Sequence, residues 1–256
     1  MSSALTRGGT RAAFAVGVLT ILGALLGWSF AGVALALAIL FAFFIPSLAL
    51  SRLGAARKRG GPRNAAQVMA NGGIATLCAV AAGLIARGAE APAICSALLW
   101  AYAGAYAAAT ADTWATEIGS AFGGTPRSIV TLQPVQPGLS GGITALGTAA
   151  TAAGALWIAL VCALALRSWT ALVAVTLAGI AGSLVDSLAG ATVQSLRACP
   201  ACGVATEDAI HSCGTPADRV RGARLVTNDT VNALCTLAGA LTGGVAYYAL
   251  AFVSRP

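Results

Sequence analysis

Of the eight carboxylates in this chain of 256 residues, Asp112, Glu117, Asp186 and Asp229 fall where long apolar stretches begin or end. Asp112 and Glu117 follow one stretch, Asp186 lies about two turns inside the end of another, and Asp229 opens a third. Charge in or beside hydrocarbon costs energy unless it has a partner, so acids so placed need a reason. Carboxylates held at one membrane depth repel one another unless a cation lies between them. Hard oxygen ligands of this kind suit Mg²⁺ better than a transition metal.

Neutral polar residues keep company with these acids. Ser183, Asp186, Ser187, Gly190 and Gln194 recur at i, i+3, i+4, i+7 and i+11, one stripe of a helix facing a bundle interior. Arg63, Asn64, Gln67 and Asn71 open a second helix, and Asn228, Asp229 and Asn232 open a third, with Asn228 and Asn232 on one face. Any single Asn or Ser here reads more readily as a hydrogen bond between membrane helices; the acids are what that reading leaves unexplained. A short echo, D-[ST]-x-A, recurs at Asp112–Ala115 and Asp186–Ala189, at the ends of two segments running in the same direction.

Before another apolar segment stands Pro137-Gly138-Leu139-Ser140-Gly141-Gly142. Glycines at a helix entry let successive backbone N–H groups turn toward an anion, although such a stretch is also an ordinary turn. No GxxxxGK[ST] occurs, which excludes a P-loop ATPase by motif, and Lys58 is the sole lysine. Phosphate charge would have to be met by metal, backbone, Arg63 or Arg127.

Cys78, Cys95, Cys162 and Cys235 are scattered one per apolar segment, as small apolar residues. Cys199, Cys202, His211 and Cys213 instead form C-x₂-C-x₈-H-x-C in one loop, the pattern of a closed Cys₃His structural zinc site with no open position for catalysis.

The elements that must position these groups are membrane helices. The chain is 58% hydrophobic and 9% charged, with a mean hydropathy of +0.83, where soluble domains carry about 25% charged residues. Ala12 to Leu50 holds no charged side chain and is long enough for two spans joined near Gly27–Gly32. Further spans are expected at Asn64–Ala86, Ala91–Ala111, Gly142–Leu166, Thr170–Gln194 and Asp229–Val253. The fold class is therefore all-α, a polytopic transmembrane helical bundle of about seven spans and a single integral membrane domain over 1–256, with 195–228 a loop carrying the zinc knuckle. A cleaved signal peptide is not expected, because the first apolar run continues directly into a second span.

With the N-terminus cytoplasmic, Arg7, Arg11, Arg52, Arg57, Lys58, Arg59, Arg63, Arg127, Arg197, Arg219, Arg221 and Arg224 lie inside, leaving only Arg87, Arg167 and Arg255 of the 15 basic residues outside. The formal charge of +7 reports that topology and attraction to anionic headgroups, not nucleic acid. The reducing cytoplasmic side also disfavours disulfides in the cysteine loop. The host is expected to be an inner membrane of bacterial or organellar type.

RNAAQVMANGG, ADTWATEIG, PGLSGG, GSLVDSLAGATVQ, CPACG with HSCG, and TNDTVN follow one another as in the membrane family called domain of unknown function 92, which includes the plant phytyl-phosphate kinase of vitamin E synthesis and animal transmembrane protein 19. The resemblance covers about Ala31 to Val253. It implies a metal-dependent phosphotransferase that moves a phosphoryl group from a nucleoside triphosphate to an isoprenyl monophosphate, giving the diphosphate. Asp112-x-x-Ala115-x-x-x-Gly119-x-x-x-Gly123 is more distantly similar to a motif of CTP-dependent polyprenol and phytol kinases, so CTP is one candidate donor. Two departures keep every carboxylate: Leu139 stands where the family often has Thr or Asp, and Thr116 where Ser is common.

Residues and resemblance together assign Mg²⁺ to Asp112, Glu117, Asp186 and Asp229, and phosphate or nucleotide contacts to Asn64, Asn71, Asn228, Asn232, Ser183, Ser187 and Gln194. Gly138, Ser140, Gly141 and Gly142 would form a phosphate cradle, and Arg63 or Arg127 would supply positive charge. The expected partners are an isoprenyl phosphate lipid, a nucleoside triphosphate and the membrane, with homo-oligomerisation left open. The alternative from another class is a transporter or channel for a cation or phosphorylated lipid, whose site would lie near the midplane. A CDP-alcohol transferase would use similar metal chemistry, but its D-x₂-D-G-x₂-A-R pattern is absent.

Overall fold

The computed structural model describes residues 5–54, 63–88 and 91–253, without the side chains of 52–54 and 251–253. Arg52 (as a side chain), Arg57, Lys58, Arg59, Glu90 and Arg255 lie outside that description. Among the described residues, seven helices are long and apolar enough to cross a membrane: α1 (Arg7–Gly27), α2 (Phe30–Gly54), α3 (Ala65–Gly88), α4 (Pro92–Phe122), α5 (Ala145–Leu166), α6 (Trp169–Thr192) and α7 (Asn228–Val253). Local chemistry sets several of their starts. Thr6, Thr144 and Ser168 accept the N–H of Gly9, Gly147 and Ala171 as N-caps. Asn64 and Gln67 cap α3 reciprocally, each side-chain oxygen accepting the other's backbone N–H at 3.0 Å.

Helix α4 is the bundle's axis, touching α2, α3, α5, α6 and α7. Its middle is nearly all alanine, with Tyr102 and Tyr106 fully buried. Small residues allow close helix approach where lipid supplies no hydrophobic drive for association. At the α4–α7 crossing, a Cβ on Gly104 would collide with the Gly239 carbonyl oxygen. Hydrogen bonds add to this packing: Tyr102 donates to Ala36 O at 2.7 Å, joining α4 to α2, and Thr236 donates to Ala70 O at 3.0 Å, joining α7 to α3.

Two departures from the sequence expectation bear on function. The fourth helix does not stop at Ala111; it continues without a breaker to Phe122, so Asp112 and Glu117 sit on helix and not after it. The connecting segments also carry short strands. β1 (Arg127–Ser128) pairs with β2 (Gly142–Ile143), and β3 (Leu196–Ala198) lies between β4 (Ala205–Thr206) and β5 (Asp218–Arg221).

Candidate functional site

A polar cavity of about 610 Å³ opens where the end of α2, the start of α3, the end of α4, the start of α5, the end of α6 and the start of α7 converge. All of these are ends on one side of the bundle, the side that carries most of the described basic residues. On α4, Asp112, Thr116, Gly119 and Ser120 face it at i, i+4, i+7 and i+8, a helical stripe made possible only by the extra turns of α4.

Opposite this stripe, Asp186 on α6 meets Asp112 side chain to side chain, with Glu207 close enough to act on Asp186 electrostatically. Asp186 Oδ2 is buried and takes no hydrogen bond. Glu117 is held differently. It accepts the Ser51 hydroxyl at 3.5 Å and pairs with Arg63 at 3.9 Å. Burial lowers the Arg63 guanidinium from its ordinary value, while Glu117 and then Asp112 act in the opposite sense. The backbone of Arg63 is pinned from the N-terminal end of α1: its carbonyl accepts Thr6 N–H at 3.0 Å, and a Cβ on Gly9 would collide with it.

The glycine loop presses on the end of α6. Gly141 has a φ of +80°, and a Cβ there would lie 2.5 Å from the backbone nitrogen of Ala191. Gly190 mirrors it, since its Cβ would stand 2.8 Å from that of Ser140. Gln194 donates Nε2 to the Ser140 hydroxyl at 3.0 Å, and Ser140 N–H donates to Glu207 Oε1 at 2.7 Å. The loop does not run straight into α5. β2 and the Thr144 cap intervene, and Thr144 takes the Gly147 N–H at 3.0 Å.

Asp112, Glu117, Asp186, Arg63, Asn71, Ser187, Asn228, Asn232 and the loop residues Gly138, Ser140, Gly141 and Gly142 all line the cavity. The remaining expected site residues do not. Asn64 is spent on capping α3, Arg127 donates to Leu132 O at 2.9 Å within the β1–β2 segment, and Ser183 is buried a turn deeper in the bundle. Gln194 acts through Ser140. Asp229 sits in the first turn of α7, where an acid suits the helix N-terminus. Ser51, Thr148, Thr151 and Glu207 were not expected but line the wall; Thr144, Thr148 and Thr151 share one face of α5, a pattern readable from spacing.

The cysteine loop brings its four residues together. One ligand atom from each of Cys199, Cys202, His211 and Cys213 lies within 4.8 Å of every other. Cys199 and Cys213 sulfurs are 3.6 Å apart and His211 Nδ1 is 3.1 Å from Cys213 Sγ. Zinc at about 2.3 Å from thiolate sulfur requires a tetrahedral edge of about 3.8 Å, so the set is compatible with a structural metal. Hydrogen bonds with Thr215 and then His211 lower the Cys213 thiol to about 5, whereas hydrogen bonding with Cys213 and then Cys199 raises Cys202 to about 11.

Residues 1–240 match the model of the family described as integral membrane protein DUF92. The chain is 31% identical over 221 residues to Protein PGR of Arabidopsis thaliana, covering 76% of this chain and 75% of the plant protein. An uncharacterized membrane protein of Methanocaldococcus jannaschii is 34% identical over 62% of this chain and 65% of its own length. One of Synechocystis is 32% identical over 75% and 72%. No solved structure matches significantly.

Proposed function

The chain belongs to the integral membrane family DUF92, and we propose that it is a membrane-embedded prenyl-phosphate kinase, converting an isoprenyl monophosphate to the diphosphate with a nucleoside triphosphate such as CTP. The observation that carries this reading is the meeting of Asp112 and Asp186 in a polar cavity walled by the Pro137–Gly142 loop. Two carboxylates in contact, one with a buried and unpartnered oxygen, suit a hard divalent cation. Asp112 and Asp186 would hold Mg²⁺, which would supply neutralisation of the phosphate charge.

The chain's own groups do the positioning. Asn71, Asn228, Asn232 and Ser187 offer amide and hydroxyl donors around the cavity, and Arg63 adds a fixed positive charge. An oxygen of the acceptor phosphate forms a bond to the terminal phosphorus of the donor, the bond from that phosphorus to its bridging oxygen breaks, and the nucleoside diphosphate leaves. The acceptor is already an anion, so alignment and charge neutralisation matter more than a strong base. Its tail would lie between helices while its head reaches the cavity. All the cavity walls come from one end of the bundle, which favours an enzyme served from one aqueous side over a transporter with a midplane site. The Cys/His cluster would bind structural zinc and brace its loop.

The test is purified protein with labelled ATP, CTP, GTP or UTP, Mg²⁺ and a panel of prenyl monophosphates. Diphosphate formation with at least one pair is expected; none with any pair sinks the reading.

A further inference from the structure

Glu207 reaches the cavity from an unexpected direction. It follows β4, which pairs with β3 through Ala205 opposite Ala198 and Thr206 opposite Arg197, and the turn of this hairpin carries Cys199 and Cys202 of the Cys/His cluster. Two hydrogen bonds dock the hairpin on the glycine loop: Gln136 Nε2 donates to Ala205 O at 3.3 Å and Ser140 N–H to Glu207 Oε1 at 2.7 Å. Docking puts a third carboxylate into the wall of the cavity that Asp112 and Asp186 line, close enough to act on Asp186 electrostatically. Three acids thus reach one cavity from α4, α6 and the cysteine loop, and Asp186 Oδ2 there is buried and unpartnered. Fixing one oxygen of Glu207 on a backbone N–H orients the carboxylate, as hydrogen bonds outside a metal's ligand shell orient its ligands.

We propose that Glu207 is the third carboxylate of the divalent-cation site formed with Asp112 and Asp186, and that the Cys/His-clamped hairpin delivers it there. The proposal rests on the cation site of the reading above. It does not depend on which substrate is phosphorylated.

Mn²⁺ binding to the purified, zinc-loaded full chain, followed by electron paramagnetic resonance without nucleotide or lipid, tests it. Glu207→Gln is the decisive variant, because the glutamine oxygen still accepts the Ser140 N–H while the charge is lost. Mn²⁺ affinity is expected to fall about tenfold or more in Glu207→Gln, to fall likewise in Asp112→Asn and Asp186→Asn, and to hold in Asp208→Asn, whose side chain is exposed on the same loop. Cys199→Ser is expected to weaken Mn²⁺ as Glu207→Gln does, and combining the two should add little, since both act through one carboxylate. Unchanged Mn²⁺ affinity in Glu207→Gln, with loss in the two aspartate variants, overturns the role of Glu207 and leaves the cation site standing. Unaltered protein that binds no Mn²⁺ removes the cation site and this proposal together. If Glu207→Gln weakens Mn²⁺ but Cys199→Ser does not, the delivery by the clamped hairpin is wrong. Absence of kinase activity with intact Mn²⁺ behaviour would count only against the substrate reading.

Discussion

Trp157 on α5 donates its indole N–H to the carbonyl of Ala42 on α2 at 3.0 Å. That carbonyl is available because Pro46, four residues on within α2, has no N–H to offer it. A proline inside a membrane helix is tolerated where a neighbouring helix takes up the freed backbone group, and Trp157 does so here. Trp157→Phe is expected to lower the unfolding free energy in detergent by about 0.5–1 kcal/mol, the scale of one hydrogen bond between membrane helices. Pro46→Ala restores an N–H for Ala42, so Trp157→Phe should cost less in that background. An equal cost in both backgrounds would mean that the bond does not answer the proline.

Helices and their number were legible because lipid demands long apolar runs and basic residues mark their ends; all seven spans recur, each close to its expected bounds except at the end of α4. The end of α4 was not, since the switch from Ala-rich to polar sequence at Asp112 marks where apolar composition stops, while the helix stops only at Gly123. Asp112 and Asp186 were readable as a pair from the D-[ST]-x-A echo and their shared direction. Glu207 was not, because its contact with Ser140 spans 67 residues of sequence and depends on the β3–β4 hairpin, whose strands are too short for any alternation to show. Asp229 misleads for the opposite reason: an acid at a helix start answers to the helix end as readily as to a ligand.

Arg63 and Glu117 make a second, separable prediction. Glu117 is only 8% exposed in its side chain and Arg63 20%, so removing one partner leaves the other charge in poor solvent. Glu117→Gln should destabilise the protein by about 2 kcal/mol. Arg63→Met in the Glu117→Gln background should add less than it does alone. Chemical unfolding of the two singles and the double completes the cycle; additive losses would show that the pair, at 3.9 Å, contributes no coupling.

The Cys/His cluster predicts metal content. About one zinc per chain is expected from elemental analysis, as a closed Cys₃His set binds tightly and orders its own loop. Cys199→Ser with Cys202→Ser should remove it and render the 195–228 segment sensitive to protease, while the helices remain folded because they contribute no ligand to the cluster. Equal zinc in the unaltered protein and the double variant would remove the claim.

The contact between Asp112 and Asp186 makes opposite predictions for stability and for activity, which no packing role would share. Without a cation, two carboxylates in contact oppose folding, whether as like charges or with one of them protonated, so Asp186→Asn should raise thermal stability in EDTA, the neutral isostere removing that cost with little change of volume. Mg²⁺ binds the folded form and should stabilise the unaltered protein by mass action, raising its melting temperature with concentration. That Mg²⁺ response should be lost in Asp112→Asn and in Asp186→Asn. Phosphoryl transfer should fall by about 10³-fold or more in each, because a cation that neutralises phosphate charge is lost with either carboxylate. The double variant should be hardly worse than either single, as groups that act as one unit are strongly non-additive. Ser187→Ala and Asn232→Ala, which each remove one orienting donor, should cost about tenfold. EDTA also strips zinc, so recovery of activity on adding Mg²⁺ alone, with zinc held constant, isolates the aspartate site from the cysteine cluster. If Asp186→Asn turns over normally, or melts at a lower temperature in EDTA than the unaltered protein, the two aspartates do not share a cation and Asp186 is a helix-packing residue.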